Sequence, residues 1–237
     1  MTIVAIHQPY FLPWFGYFAK IKQADIFVYY DDVQMSLRHK ENYRNRVKIK
    51  AANEQGWKWL TVPVHCPFGT LIKDVCPVAG WREKMIGALL GVYGRSAHYD
   101  AVMEIVEFPR CGTIADICIN GTQALVETLG LSAEFVLSSA ISPKSNERNQ
   151  RLVDVVAAVG GDTYLCGSYA AGYIDLELFK AHGIQVVFND FEMPVYPHLS
   201  GSRFIRGLSV VDAMFSVGPE KYKEMFHNAR TGYRRTP

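Results

Sequence analysis

The chain lacks most of the features that assign a protein at sight. Its five cysteines, Cys66, Cys76, Cys111, Cys118 and Cys166, include no C-x-x-C pair. That spacing argues against a structural zinc and for reduced thiols in a cytoplasmic setting. No apolar run reaches the roughly 18 residues that a membrane span needs, so no membrane insertion is expected. The start, M-T-I-V-A-I-H, has neither a charged segment nor a cleavage pattern, and no signal peptide is expected. The formal net charge is only +2, too small to draw nucleic acid by bulk charge. There is no glycine-rich P-loop, no internal repeat and no low-complexity segment.

What is present is the composition of a globular protein, with 49% hydrophobic and 20% charged residues over 237 positions. Residues 2–7 read as a strand, 13–24 as a helix with Phe15, Phe18 and Ile21 on one face, and 26–30 as a buried-type strand. This is a β-α-β unit, which implies parallel strands and a right-handed crossover. Residues 43–50, Y-R-N-R-V-K-I-K, alternate, so Arg44, Arg46, Lys48 and Lys50 fall on one face of a strand. With 57–64 they predict a β-hairpin whose Pro63 end is an edge. Three helical pieces follow over 81–129. Trp81, Met85 and Leu89 share a face, Pro109 and Gly112 interrupt, and Thr113 caps the last helix, which stops at Gly130.

The α/β rhythm then resumes. Strands are predicted at 134–138, 163–166 and 184–188, and helices at 147–159, from Asp175 to Gly183, and from Ser209 through Phe215 to Gly218. The tail 229–237 reads as disordered. The expectation is a doubly wound, mostly parallel sheet of about five strands in one α/β domain over 1–237, with a hairpin and helical block inserted at about 35–130.

Several polar clusters follow predicted strands, and in a parallel sheet that places them on one rim. His7 and Gln8 end the first strand as a binding or acid–base pair, or as a loop satisfied by backbone. Tyr10 is the ring of that loop expected to reach a ligand. Asp31, Asp32 and Gln34, in D-D-V-Q, suit a ribose hydroxyl, a metal or an amine, or a solvated turn. Ser139 and Lys144, before a helix, suit a phosphate cradle. Gly167 and Ser168, in C-G-S-Y, allow close backbone approach, while Cys166 reads as an inert thiol. His198, in Y-P-H, is a second candidate base. The basic hairpin, preceded by Arg38, His39 and Lys40, offers Arg44, Asn45 and Arg46 as a diphosphate clamp, or as charge that guards a sheet edge.

These residues also carry a likeness. H-Q-P-Y-F-L-P-W-F-G-Y-F at 7–18, D-I-F-V-Y-Y-D-D-V-Q at 25–34, R-N-R at 44–46 and W-L-T-V-P-V at 59–64 resemble the WbqC-like proteins of bacterial surface-polysaccharide gene clusters. Y-L-C-G-S-Y-A-A-G-Y-I-D at 164–175, Y-P-H at 196–198 and L-S-V-V-D at 208–212 extend the resemblance nearly end to end. It implies a glycine transferase acting in O-antigen formation, on a nucleotide-linked amino sugar. The expectation is therefore an acyl- or aminoacyltransferase that forms an amide, with His7 or His198 as base. The donor is a thioester of coenzyme A or of an acyl-carrier protein, and a homodimer through the hairpin edge is a further expectation. A fainter likeness to nucleotidyltransferases and pantothenate synthetase implies ATP with magnesium in an alternative ligase reading, but Tyr17 stands where their second histidine falls. A non-catalytic sugar-nucleotide binder is the third reading.

Overall fold

A computed structural model describes residues 1–37, 42–106, 112–167, 170, 172–199 and 203–235. Arg38, His39, Lys40, Pro109, Cys111 and Ser168 therefore lie outside the described residues. Strand β1 (Ile3–His7) buries Val4, Ala5 and Ile6 in succession. A strand buried on both faces must be covered on both, as in parallel α/β sheets. Helix α1 (Phe15–Gln23) follows, and β2 (Ile26–Tyr29) returns parallel to β1, with Val4 opposite Ile26 and His7 opposite Tyr29.

The chain then leaves the sheet. Strands β3 (Arg46–Lys50) and β4 (Trp57–Thr61) pair antiparallel as their own two-stranded sheet. Val47 and Ile49 point inward while Arg46 and Lys48 are half-exposed, as the alternation predicts. Lys50 departs from it and is buried. Short strands β5 (Val64–His65) and β6 (Cys76–Pro77) follow. Helices α2 (Trp81–Tyr93), α3 (Tyr99–Ile105) and α4 (Ile114–Leu129) complete the segment. Trp81, Met85 and Leu89 are all buried, and so are Ile114, Ile117, Cys118 and Leu125 on α4. Thr113 closes a capping box with Asp116, and Gly130 ends the helix at φ 64°, a left-handed conformation open to glycine.

Strand β7 (Glu134–Leu137) rejoins the sheet beside β2. Helix α5 (Arg148–Ala158), strand β8 (Thr163–Cys166), helix α6 (Leu176–Ala181) and strand β9 (Gln185–Phe191) complete the parallel part. Helix α7 (Val210–Val217) is capped by Ser209. Two elements depart from expectation. Helix α8 (Pro219–Asn228) begins with proline directly after Gly218 and buries Tyr222 and Phe226 one turn apart. The tail is ordered over β10 (Thr231–Arg234), which pairs antiparallel with β9 from Thr231–Phe191 to Arg234–Phe188. It covers an edge that β9 extends three residues past its predicted end, so pairing overrides weak local propensity.

The sheet has six strands, in the order β10-β9-β8-β1-β2-β7, all parallel but β10. Alternate residues feed two cores. Ala5, Phe27, Leu165 and Val187 join α1, α4, α7 and α8 on one face. Val4, Val28, Tyr164 and Phe188 join α5 and α6 on the other. This is a doubly wound α/β sheet. Among the described residues no helix is long and apolar enough to cross a membrane.

The α4 cap tests how far local chemistry holds the inserted segment. Thr113→Ala removes the hydroxyl that accepts from Asp116 N–H, leaving the main-chain bond from residue 113 to the Asp116 carboxylate, and should cost about 1 kcal/mol in urea unfolding, with the midpoint lowered and the slope unchanged. No loss of stability would show that packing alone sets the start of α4.

Candidate functional site

The sheet order places a crevice. From β1 the chain runs outward through β2 to β7, then jumps to β8 on the other side of β1. The helix after β1 lies on one face and the helix after β8 on the opposite face. Ligands of open α/β sheets bind at such a switch point, beyond the carboxyl ends of the strands. A cleft opens there in two compartments, of about 440 Å³ and 620 Å³. Both are lined by Ile6 and His7 at the end of β1, Tyr164 on β8, and the rings of Tyr10 and Tyr173.

The loop after β1 is held from outside. Phe11 N–H donates to the Tyr43 carbonyl (3.0 Å), Val210 N–H to that of Pro13 (3.1 Å), and the Ser209 hydroxyl to that of Leu12 (2.7 Å). Leu12 sits at φ 42°, the one non-glycine among the described residues with a left-handed φ. Such a conformation persists only where surrounding contacts enforce it. The loop is thus pinned to the hairpin and to α7.

His7 stands edge-on against Tyr10 and Tyr17, at ring-centre distances of 4.5 and 4.6 Å. Its Nδ1 lies 2.9 Å from the Gln8 carbonyl. A carbonyl only accepts, so Nδ1 carries the proton and Nε2 keeps its lone pair. Nε2 has no hydrogen-bond partner among the described residues. Burial lowers the pKa to about 3, assisted by the charges of Lys20 and Arg44 and opposed by the Gln8 bond. The ring is neutral at physiological pH.

Two buried or partly buried cations flank it without carboxylate partners among the described residues. Lys20, on α1, is almost fully buried and donates to the Ile6 carbonyl at 3.1 Å. Burial lowers its pKa to about 8. Arg44 donates through Nε to Gln8 Oε1 (2.7 Å) and through Nη1 to the Ser36 carbonyl (3.1 Å). Burial lowers its pKa as well. Lys20 lines the larger compartment and Arg44 the smaller, where Arg148 lies 3.7 Å above the Tyr173 ring. A cleft lined by three cations and, among the described residues, by no carboxylate suits an anionic ligand.

Of the residues read from the sequence, His7, Gln8, Tyr10, Arg44 and Gly167 line this cleft. The others are placed elsewhere or held by partners. Asp31 is buried, and its two oxygens accept from Ser139 N–H (2.9 Å) and Ser139 Oγ (2.6 Å). Asp32 Oδ2 is bridged by Lys144 (2.6 Å) and Arg151 (2.8 Å). Burial pushes the Asp32 carboxyl up, but hydrogen bonds from Lys144 and Ser138 and the charge of Arg151 outweigh it and hold the pKa low. These pairs strap the end of β2 to the end of β7. The 138–148 segment is accordingly not a free phosphate cradle. Lys144 is neutralised by Asp32, and at the start of α5 Gln150 N–H is capped by Glu147 (2.7 Å) while Ser145 N–H bonds Asp154 (2.7 Å).

The hairpin clamp is divided in the same way. Asn45 is buried, accepting from Asn42 (2.9 Å) and donating to the Val62 carbonyl (2.9 Å). That bend delays β3 until Arg46, so Arg44 and Arg46 do not share a strand face. The Arg46 guanidinium lies 4.2 Å from the Trp59 ring centre and donates to the Asn42 carbonyl (3.1 Å). Gln34 is exposed and bridges to Leu71, away from the cleft. His198 is buried with Nδ1 on Asp212 (2.8 Å) and Nε2 accepting from Ile205 N–H (3.0 Å), so neither nitrogen is open to a substrate. Tyr93 and Tyr196 donate to the same carboxylate at 2.6 and 2.9 Å. Among the described residues, no three His, Cys, Asp or Glu side chains are grouped to hold a metal ion.

Residue-type reasoning missed Lys20, Arg148, Tyr164, Tyr173 and Asn189 in this cleft. For Lys20 a signal existed. It interrupts the run Tyr17, Phe18, Ala19 and Ile21, which is otherwise wholly apolar or aromatic and buried.

The profile of the WbqC-like protein family matches residues 8–224. A relative, Uncharacterized protein Rv1507c of Mycobacterium tuberculosis, is 29% identical over 228 residues, covering 93% of this chain and 96% of the relative. No solved structure gives a significant match.

The neutral His7 sets a pH dependence. Its folded pKa of about 3 lies below its ordinary 6.5, so between those values the unfolded chain binds the proton that the folded chain refuses. Stability should therefore fall as pH drops from 6.5 toward 3. His7→Gln should lose less stability than wild type in urea melts taken from pH 7 to pH 4. Parallel losses in the two proteins would place the ring in a more polar setting than described here.

Proposed function

The chain belongs to the WbqC-like protein family, and from that premise we propose that it is a transferase forming an amide on a nucleotide-linked amino sugar in O-antigen synthesis. The observation that carries this reading is the neutral His7, whose Nε2 lone pair is free among the described residues, between cations that have no carboxylate partner among them. Arg44 and Arg148 take the diphosphate in the smaller compartment, where charge-assisted bonds are strong. The nucleoside and sugar rings pack on Tyr10, Tyr164 and Tyr173.

Electrostatics then couples binding to chemistry. In the empty cleft Lys20 and Arg44 help to hold His7 unprotonated. A bound diphosphate offsets that positive field and raises the basicity of Nε2. The neutral sugar amine attacks the carbonyl of a thioester donor. The C–N bond forms, the C–S bond breaks, and the proton lost by the amine passes through His7 Nε2 to the departing thiolate. His7 is thereby a poor base without substrate and a better one with it.

The test is to incubate the protein with nucleotide-linked amino sugars and thioester donors and to seek an amide product by mass. His7→Gln should lower turnover by about 100-fold or more with nucleotide-sugar affinity little changed. Binding without turnover for any amine-bearing sugar and donor would make the protein a sugar-nucleotide binder instead.

Arg44 provides a second test. Arg44→Ala should weaken nucleotide-sugar binding by about 1.5–3 kcal/mol, tenfold or more by titration. Arg46→Ala, whose side chain lies on Trp59, should bind normally. Equal losses in both variants would move the diphosphate onto the hairpin face.

A further inference from the structure

The larger compartment contains a charge to which the amide-forming reading assigns no ligand group. Lys20 is almost fully buried, yet its one hydrogen bond goes to a main-chain carbonyl, and no carboxylate pairs with it among the described residues. A buried ammonium so poorly compensated is costly, and replacement by an apolar side chain is commonly neutral or stabilising. Asn189, on β9, lines the same compartment. Its Oδ1 accepts from Gln23 Nε2 (2.7 Å), whose other bond to the Ala19 carbonyl (2.7 Å) identifies that nitrogen as the donor. The Asn189 Nδ2 donors therefore have no partner among the described residues. Gly167 lines the same compartment, with nothing among the described residues within 4 Å of where a Cβ would stand.

We propose that Lys20 and Asn189 form a seat for a carboxylate in the larger compartment. One positive charge and one neutral amide match a singly charged, planar oxygen pair. The two guanidiniums of the other compartment match a diphosphate better. The inference rests on the proposed function for the identity of the neighbouring ligand and adds the substrate class. Either the acyl or aminoacyl reactant carries a free carboxylate, or the nucleotide-linked sugar is a uronic acid. In both cases Lys20 positions the substrate beside His7 and takes no proton in the reaction.

The experiment is calorimetric titration of the full chain in two arms. One arm compares a succinyl thioester, which keeps a free carboxylate, with the butyryl thioester of the same thiol. The other compares a nucleotide-linked uronic acid with the matching uncharged hexose. Wild type should prefer the carboxylate tenfold or more in the arm that represents the true source. Lys20→Met should reduce that preference to within twofold while raising the melting temperature of the ligand-free protein. Asn189→Asp, which keeps the bond from Gln23 and adds a repelling charge, should also abolish it. No preference by wild type in either arm overturns the proposal. So does a preference that survives both substitutions, or a Lys20→Met variant that keeps the preference and melts lower. Amide formation without any carboxylate preference would remove the seat and leave the transferase reading intact. A preference without amide product would do the reverse.

Discussion

The interaction on which the site depends is the repulsion of a proton from His7. Three features enforce it together. The ring is half-buried against Tyr10 and Tyr17, its Nδ1 is tied to a carbonyl, and Lys20 and Arg44 add positive potential. The central strand position brings α1, and with it Lys20, beneath the end of β1. The hairpin brings Arg44 from the other side through Gln8. The fold therefore concentrates positive charge at a neutral base, an arrangement that gains most when an anion arrives.

The same end of the sheet also shows how charge is arranged for rigidity. Asp31 is bonded through both oxygens to Ser139, and Asp32 Oδ2 is paired with Lys144 and Arg151. They join β2 to β7, the two strands between which the chain makes its long excursion through the hairpin and α2 to α4. A long connection between adjacent strands gives little local restraint at its re-entry point. Buried, hydrogen-bonded carboxylates supply it there. Among the described residues, paired charges mark the strap and cations without carboxylate partners mark the cleft, although the residue types are the same.

That distinction explains what could and could not be read from the chain. The β1-α1-β2 unit, the buried face of α4 and the caps at Thr113, Asp175 and Ser209 follow from periodicity and cap chemistry, which act within a few residues. The rim of strand ends, with His7 and Gly167 on it, follows from parallel topology. Whether a rim residue is open or satisfied depends on partners far away in sequence. Ser139 is 108 residues from Asp31, and the free lone pair of His198 is taken by the Ile205 N–H. Strict alternation put Arg44 and Arg46 on one face, but the Asn42–Asn45 bond starts the strand later and separates them. Strand β10 was illegible for a related reason. T-G-Y-R has little propensity of its own and is ordered by the exposed edge of β9.

Lys20 is the case where sequence logic fails in an informative direction. A helix packed on a sheet should present apolar residues to it, and α1 does so except at this one position. Every local rule favours leucine or methionine there. A lysine in that place lowers the stability of the empty protein, because its charge is desolvated and met by a single carbonyl. Departures from local consistency of this kind concentrate at functional sites, where a bound ligand supplies the missing partner. The cleft can therefore be located twice by independent arguments. Topology selects the crevice between β1 and β8, and energetics selects the side chains that would not be tolerated if that crevice stayed empty.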